Sequence, residues 1–137
     1  MNKLDRKALH YCGEICNRQV LQLCKRNGKE IWDFPAIAVA CNAKNTPIYV
    51  DHSRGVREQH VYDPLKSELK RIGNIGESSR ICSYILGRCA EQHAANKLLK
   101  KHKKKLTDIY FSKAYRPKTL QVFDYCDNCL YLFPNLK

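Results

Sequence analysis

The sequence predicts a single α/β domain in which a mixed sheet containing a β-hairpin is flanked by helices. Three observations predict it. Apolar residues recur at helical spacing near the N-terminus and again around residues 90–103. Between and beyond these segments, short runs of β-branched, small and aromatic residues are bounded by turn formers and read as strands. At 137 residues the chain suits one core. The element order reads α-β-β-(α)-α-β-α, a two-layer or three-layer α/β pattern. Residues 1–137 are expected to form one domain, with an N-terminal helix within 1–28 and the main body over 34–134.

Residues 3–27 are expected to form one amphipathic helix, because Leu4, Ala8, Tyr11, Cys12, Ile15, Cys16 and Leu23 fall mostly on one stripe. Gly28 stands where such a helix would end. In AIAVACNAKNTPIYVDHS, Ala36–Cys41 and Ile48–Asp51 read as the two strands of a hairpin, with NAKNTP as its turn. Residues 53–61 read as a loop. In DPLKSELKRIG, Asp63 is expected as N-cap, Pro64 at the first helical position and Gly73 as the stop of a short helix. NIGESS is a second loop, and Gly87 breaks the chain before Cys89. Strong helix formers fill Ala90–Lys103, with an apolar face through Ala94, Ala95, Leu98 and Leu99. TDIYFSKAY reads as a strand, RPKT as a turn and LQVFDY as extended chain. Cys126 then opens a short last helix that Pro134 stops.

The formal net charge of +12 favours a polyanionic partner, nucleic acid first. Lysines 97, 100, 101, 103, 104 and 105 crowd into one short stretch, where they also complement the negative end of a helix dipole. No apolar run approaches the ~20 residues of a membrane span, so no membrane is expected. The opening MNKLDRKALHY lacks the apolar stretch of a cleavable signal. The eight cysteines admit a disulfide framework, but a chain able to build its own core points instead to reduced thiols with a metal site. Cys12 and Cys16 stand four apart on the first helix; such a pair can bind metal or simply pack as small apolar side chains.

Four residues carry the chemistry. Cys126 and Cys129 are three apart, so on a helix both thiolates reach one metal. Cys89 stands at a helix start, where the dipole favours thiolate. Three sulfurs with water in the fourth place describe an open, catalytic zinc site. A fourth protein ligand, Cys82 or Cys41, would close it as a structural one. Glu91 lies two residues past Cys89, on the wrong side of a helix to join it at the metal. From there it can still reach a water at the ion and exchange a proton with it, or it can simply stabilise the first turn.

Cys-Ala-Glu at a helix start, then a strand, then CxxC on a second helix resembles the zinc-dependent cytidine deaminase superfamily, whose signature pairs H-x-E or a cysteine variant with P-C-x-x-C. The resemblance spans residues 34–134. It implies a cytidine deaminase-like fold with Zn2+ on Cys89, Cys126 and Cys129, and with Glu91 as general acid and base. It further implies attack by activated water on the ring carbon that bears the exocyclic amine, with loss of ammonia. GRCAEQHAANKLL, IYFSKAYRPKT and YCDNC look most similar to bacterial polymorphic-toxin (YwqJ-like) deaminases. That likeness implies a toxin domain delivered into a target cell as part of a larger secreted protein, acting in the cytoplasm and held by an immunity protein. Tyr125 stands where the motif usually has proline, and many relatives continue into further strands beyond the position of Lys137.

Enzymes acting on free nucleosides usually have a shorter link from hairpin to zinc helix than residues 52–87 provide. With the charge, this favours cytosine in nucleic acid, single-stranded DNA first, over a free nucleoside, a nucleotide or adenine. His52, Arg54 and Arg116 sit in loops near the expected pocket mouth as candidate contacts to phosphate or base. Tyr110, Phe111, Tyr115, Phe123 and Tyr125 are candidates to stack a flipped base, or core residues. A basic nucleic-acid-binding module with structural zinc is the reading from another class. A thiol-rich protein without metal is a third.

Overall fold

The structure, a computed structural model, describes residues 1–136, without the side chains of residues 23–26. Helix α1 spans Lys3–Arg18 and starts where Asn2 caps it, its side-chain oxygen accepting from the Asp5 amide at 2.8 Å. Replacing such a cap by alanine costs about 1 kcal/mol. The helix is shorter than the apolar stripe predicts. It stops at Gln19, in left-handed conformation, and the chain enters a two-stranded hairpin of β1 (Gln22–Arg26) and β2 (Lys29–Asp33). Asn27 and Gly28, with φ of 54° and 76°, form its two-residue turn. Two successive positive φ angles are what a tight hairpin turn with right-handed strand twist demands, and Asn-Gly supplies them with least strain. Gly28 thus turns a hairpin instead of ending a helix.

The predicted hairpin forms as β3 (Ala38–Asn42) and β4 (Tyr49–His52). Strands β5 (Tyr110–Phe111) and β6 (Ala114–Tyr115) both pair with β3, and β7 (Val122–Phe123) pairs with β6. All these pairings are antiparallel, so the described sheet is not the mixed one the sequence reading expects. The single strand predicted over TDIYFSKAY is broken by a bulge. Cys41 faces Phe111, yet Ala38 faces Tyr115, so one extra residue is accommodated between the two registers. The Ser112 hydroxyl accepts from the Ala40 amide at 2.9 Å, and the buried Asp5 of α1 accepts from the Lys113 amide at 2.8 Å. A side chain on each side thereby satisfies backbone groups that the bulge takes out of the ladder.

Helix α2 (Asp63–Lys70) has Tyr62, not Asp63, at its N-cap. Asp63 and Pro64 fill its first turn, where proline's missing N–H is not needed. Helices α3 (Ala90–His102) and α4 (Asp127–Leu132) follow as predicted. Strand β3 is covered on both faces. Ala38 and Ala40 belong to one core with Ala8, Cys12 and Ile15 of α1, and Val39 and Cys41 to another with Leu65 of α2, Leu98 and Leu99 of α3 and Leu132 of α4. The result is three layers, helix on sheet on helices, and it explains why β3 shows no polar face. Truncating a fully buried leucine such as Leu98 to alanine costs about 2–5 kcal/mol. No helix among the described residues is long and apolar enough to cross a membrane.

Gly87 fixes the approach to α3. Its φ is +91°, it is buried, and a Cβ there would run into the Val56 side chain. Only glycine meets both conditions.

Candidate functional site

Cys89 is the N-cap of α3 and Cys126 the N-cap of α4, each with extended backbone. Because α3 and α4 pack into the same core, the two caps meet: the Cys89 and Cys126 sulfurs are 3.1 Å apart, and Cys126 and Cys129 are 3.5 Å apart. All three lie within 4.8 Å of one another and can hold a metal ion. Sulfurs sharing one tetrahedral ion at ~2.3 Å stand about 3.8 Å apart, so small adjustments of side-chain torsions suffice. The donor set also fits a cation electrostatically. Hydrogen bonds from Cys129 and Cys89 and from the amides of the first turn of α4 hold the Cys126 thiol down to about 3, while its neighbours are pushed up. Cys89 rises chiefly because it gives its hydrogen bond to the Cys126 thiolate, and Cys129 chiefly through burial. Without compensation the trio favours one thiolate; a divalent cation removes the penalty for the other two.

Neither Cys41 nor Cys82 belongs to this group among the described residues. Cys41 is buried on β3, its thiol pushed up chiefly by burial, and Cys82 lies by Ser79 in the loop before α3. Cys12 is buried against the sheet, and the Cys16 thiol donates to the Pro117 carbonyl at 3.5 Å. All seven of these cysteines are free thiols.

Glu91 is 4% exposed in the first turn of α3 and lines the same cleft as Cys89 and Cys126. Burial, with a smaller push from Cys126, lifts its carboxyl from 4.5 to about 7. The cleft encloses about 610 Å3, within the ~300–1,000 Å3 usual for small-ligand sites. Arg116 lines it and stacks over the Phe123 ring at 4.7 Å. Arg88, Phe34 and Tyr84, which motif reasoning passed over, line it too.

The structure brings Cys89, Glu91, Arg116, Phe123 and Cys126 to one cleft, with Cys129 behind them. It places the other candidates elsewhere. His52 turns toward α1, its Nδ1 2.8 Å from the Tyr11 hydroxyl. Arg54 closes onto buried Asp51, its Nη2 donating to Oδ2 at 3.0 Å. Tyr115 is buried against α1, Phe111 packs on Phe133, and Tyr110 is exposed away from the cleft lining. Tyr125 donates to the Ser112 carbonyl at 2.7 Å, tying the chain just before Cys126 to the sheet bulge. Proline would stiffen that approach through its ring; here a side-chain anchor does so.

Sequence reasoning also missed two buried amides that hold the ligand helices. Gln92 accepts from the Gly87 amide at 2.6 Å and donates to the Cys129 sulfur at 3.5 Å. Asn128, fully buried between Cys126 and Cys129, accepts from the Ser79 hydroxyl at 2.6 Å and donates to the Tyr84 carbonyl at 3.2 Å. The available signal was position alone, one residue past Glu91 and inside the CxxC.

Comparison of the chain with protein-family models, with curated proteins and with solved structures gives no match.

Proposed function

We propose that the chain is a zinc-dependent, cytidine deaminase-like enzyme that converts cytosine to uracil in nucleic acid, single-stranded DNA first. One observation carries this reading: a buried carboxyl, Glu91, lines the same cleft as the sulfurs at the starts of two helices. Cys89, Cys126 and Cys129 would hold the zinc, which when bound makes water a competent nucleophile at neutral pH. The rest is done by the chain. Glu91 sits outside the thiol trio, so it is left to take a proton from the attacking water and return it to the departing amine. Water adds, ammonia leaves, and the ring keeps the oxygen. Phe34, Phe123 and Tyr84 offer ring faces to a base drawn out of its stack, and Arg88 and Arg116 offer charge to its phosphate. The exposed rim at Ala36, Tyr84 and Asp124 leaves the cleft open to a strand. In this reading the chain is the effector domain of a bacterial toxin.

The test is to incubate the protein separately with single-stranded DNA, duplex DNA, RNA and cytidine, digest each to nucleosides, and weigh the products by mass spectrometry. Uracil-containing product from single-stranded DNA is the expected result. Product from cytidine alone makes it a nucleoside enzyme, hypoxanthine makes adenine the substrate, and no product with zinc bound leaves a nucleic-acid-binding module.

A further inference from the structure

A second pocket lies across the 53–56 segment from the thiol cleft. It encloses about 490 Å3, and its walls carry Arg54, Arg57, His60, His93, Lys97 and Lys100. His93, Lys97 and Lys100 form one stripe of α3 at the four- and three-residue spacing that shares a face. The facing wall is the loop from Arg54 to His60. No acidic side chain lines the pocket among the described residues. Four formal positive charges from two elements thus converge on one concavity, an arrangement that costs free energy through mutual repulsion unless an anion occupies it.

Two of these cations are held in place from behind. Asp51, 1% exposed, engages the Arg54 guanidinium and lies 3.2 Å from the Lys97 ammonium, which also donates to the Val50 carbonyl at 2.9 Å. One carboxylate outside the lining orients two of the four cations, and positive charge remains in surplus. The shared wall is tied to α3 and to the approach to it by hydrogen bonds. The His93 Nε2–H donates to the Arg54 carbonyl at 2.9 Å, and the Arg54 amide donates to the Arg88 carbonyl at 3.1 Å. Ser53, next in the chain, lines the thiol cleft.

From this geometry we propose that the pocket of Arg54, Arg57, Lys97 and Lys100 binds a phosphate group, that of the nucleic-acid backbone whose base enters the thiol cleft. This deepens the deaminase reading and rests on it for the second clause. Arg54 and Lys97, pre-oriented by Asp51, supply the fixed contacts. Arg57 and Lys100, both exposed, close on the phosphate from the rim.

The test uses zinc-loaded protein carrying Glu91→Ala, so that binding is read without turnover. The probe is a labelled single-stranded DNA oligonucleotide followed by anisotropy over a series of salt concentrations. Arg57→Ala with Lys100→Ala should weaken binding roughly tenfold and lower the slope of log affinity against log salt by about 1.4, two contacts at ~0.7 each. Lys3→Ala with Lys7→Ala, an equal charge loss on the exposed face of α1, should leave both nearly unchanged. Inorganic phosphate should compete with the oligonucleotide and shift the Arg57 and Lys100 resonances. Equal losses from both pairs, or none from the first, overturn the proposal. Phosphate that shifts those resonances without displacing DNA assigns the pocket to free phosphate and overturns the backbone assignment. Deamination is read separately on wild-type protein, so an intact slope effect alongside a wild type that forms no uracil sinks the reaction and keeps the pocket. Deamination without the slope effect does the reverse.

Discussion

Cys89 and Cys126 are 37 residues apart in the chain and 3.1 Å apart at their sulfurs, each at the N-cap of a different helix. The meeting depends on tertiary packing: α3 and α4 lie on the same face of the sheet, and Tyr125 pins the entry to α4 on the bulge between β5 and β6. A metal at this point joins two helices otherwise held by apolar packing and the Gln92–Cys129 hydrogen bond, so occupancy and stability are coupled.

Zinc content is the first consequence. The purified protein should carry about one zinc per chain, and Cys89→Ser or Cys126→Ser should lose it, while Cys16→Ser should not. Metal analysis by plasma mass spectrometry reads this directly. Chelation should lower Tm by roughly 10 °C, as expected for loss of a ligand present at about a hundred times its Kd.

Acid should release a different lock. Burial alone would raise the Asp51 carboxyl, but the hydrogen bond and charge of Arg54 and the charge of Lys97 more than offset it, so its folded value lies below the ordinary 3.8. The folded chain therefore binds the Asp51 proton less readily than the unfolded chain. The stabilisation is fully present above the unfolded value near 4 and is lost as pH falls through the lower folded one. Asp51→Asn should cost about 1–3 kcal/mol at pH 7, at the lower end because Arg54 and Lys97 can turn to solvent. The deficit against wild type should shrink toward pH 2 in denaturant titrations. A deficit independent of pH would show that shape, not charge, is what Asp51 contributes.

Gln92 is a positioning residue for Cys129. Gln92→Ala removes the donor to its sulfur and leaves the Gly87 amide without its acceptor. Zinc affinity should fall about 10–100-fold. The variant should keep its folded near-UV circular dichroism before zinc is added and regain turnover with zinc in excess; an unfolded spectrum before zinc would make the loss one of fold and not of positioning.

Gly87→Ala should destabilise the chain by about 1–3 kcal/mol through left-handed strain and the clash with Val56. Adding Val56→Ala should recover only the part due to the clash, as read from denaturant midpoints.

The legible parts of this chain were those with local causes. The hairpin of β3 and β4 announces itself through small and β-branched residues around an Asn- and Pro-bearing turn, α3 through its helix formers, and the thiol trio through spacing at helix starts. The hairpin of β1 and β2 was hidden although Asn27–Gly28 signals it, because the stripe from Leu4 to Cys16 reads on into Leu23 as one helix. The bulge at Ser112 has no local mark, since it needs Ala40 and Asp5 from other elements to satisfy its backbone. His52 and Arg54 look like pocket-mouth residues in sequence. Tyr11 of α1 draws His52 aside and buried Asp51 turns Arg54 to the second pocket in place of the thiol cleft, and neither partnership shows in a linear reading.

The most direct measurement compares wild type and Glu91→Gln, both shown to carry equal zinc, in the conversion of cytosine to uracil in a single-stranded oligonucleotide. Glutamine keeps the shape of the buried side chain and removes its capacity to move a proton. The proposed reaction predicts uracil formation by wild type and a loss of at least about 1,000-fold in the variant, within the range general acid–base catalysis contributes. Equal rates in the two proteins, or no uracil from a fully zinc-loaded wild type on any nucleic acid, would contradict the assignment of Glu91 and its three neighbouring thiols to this reaction.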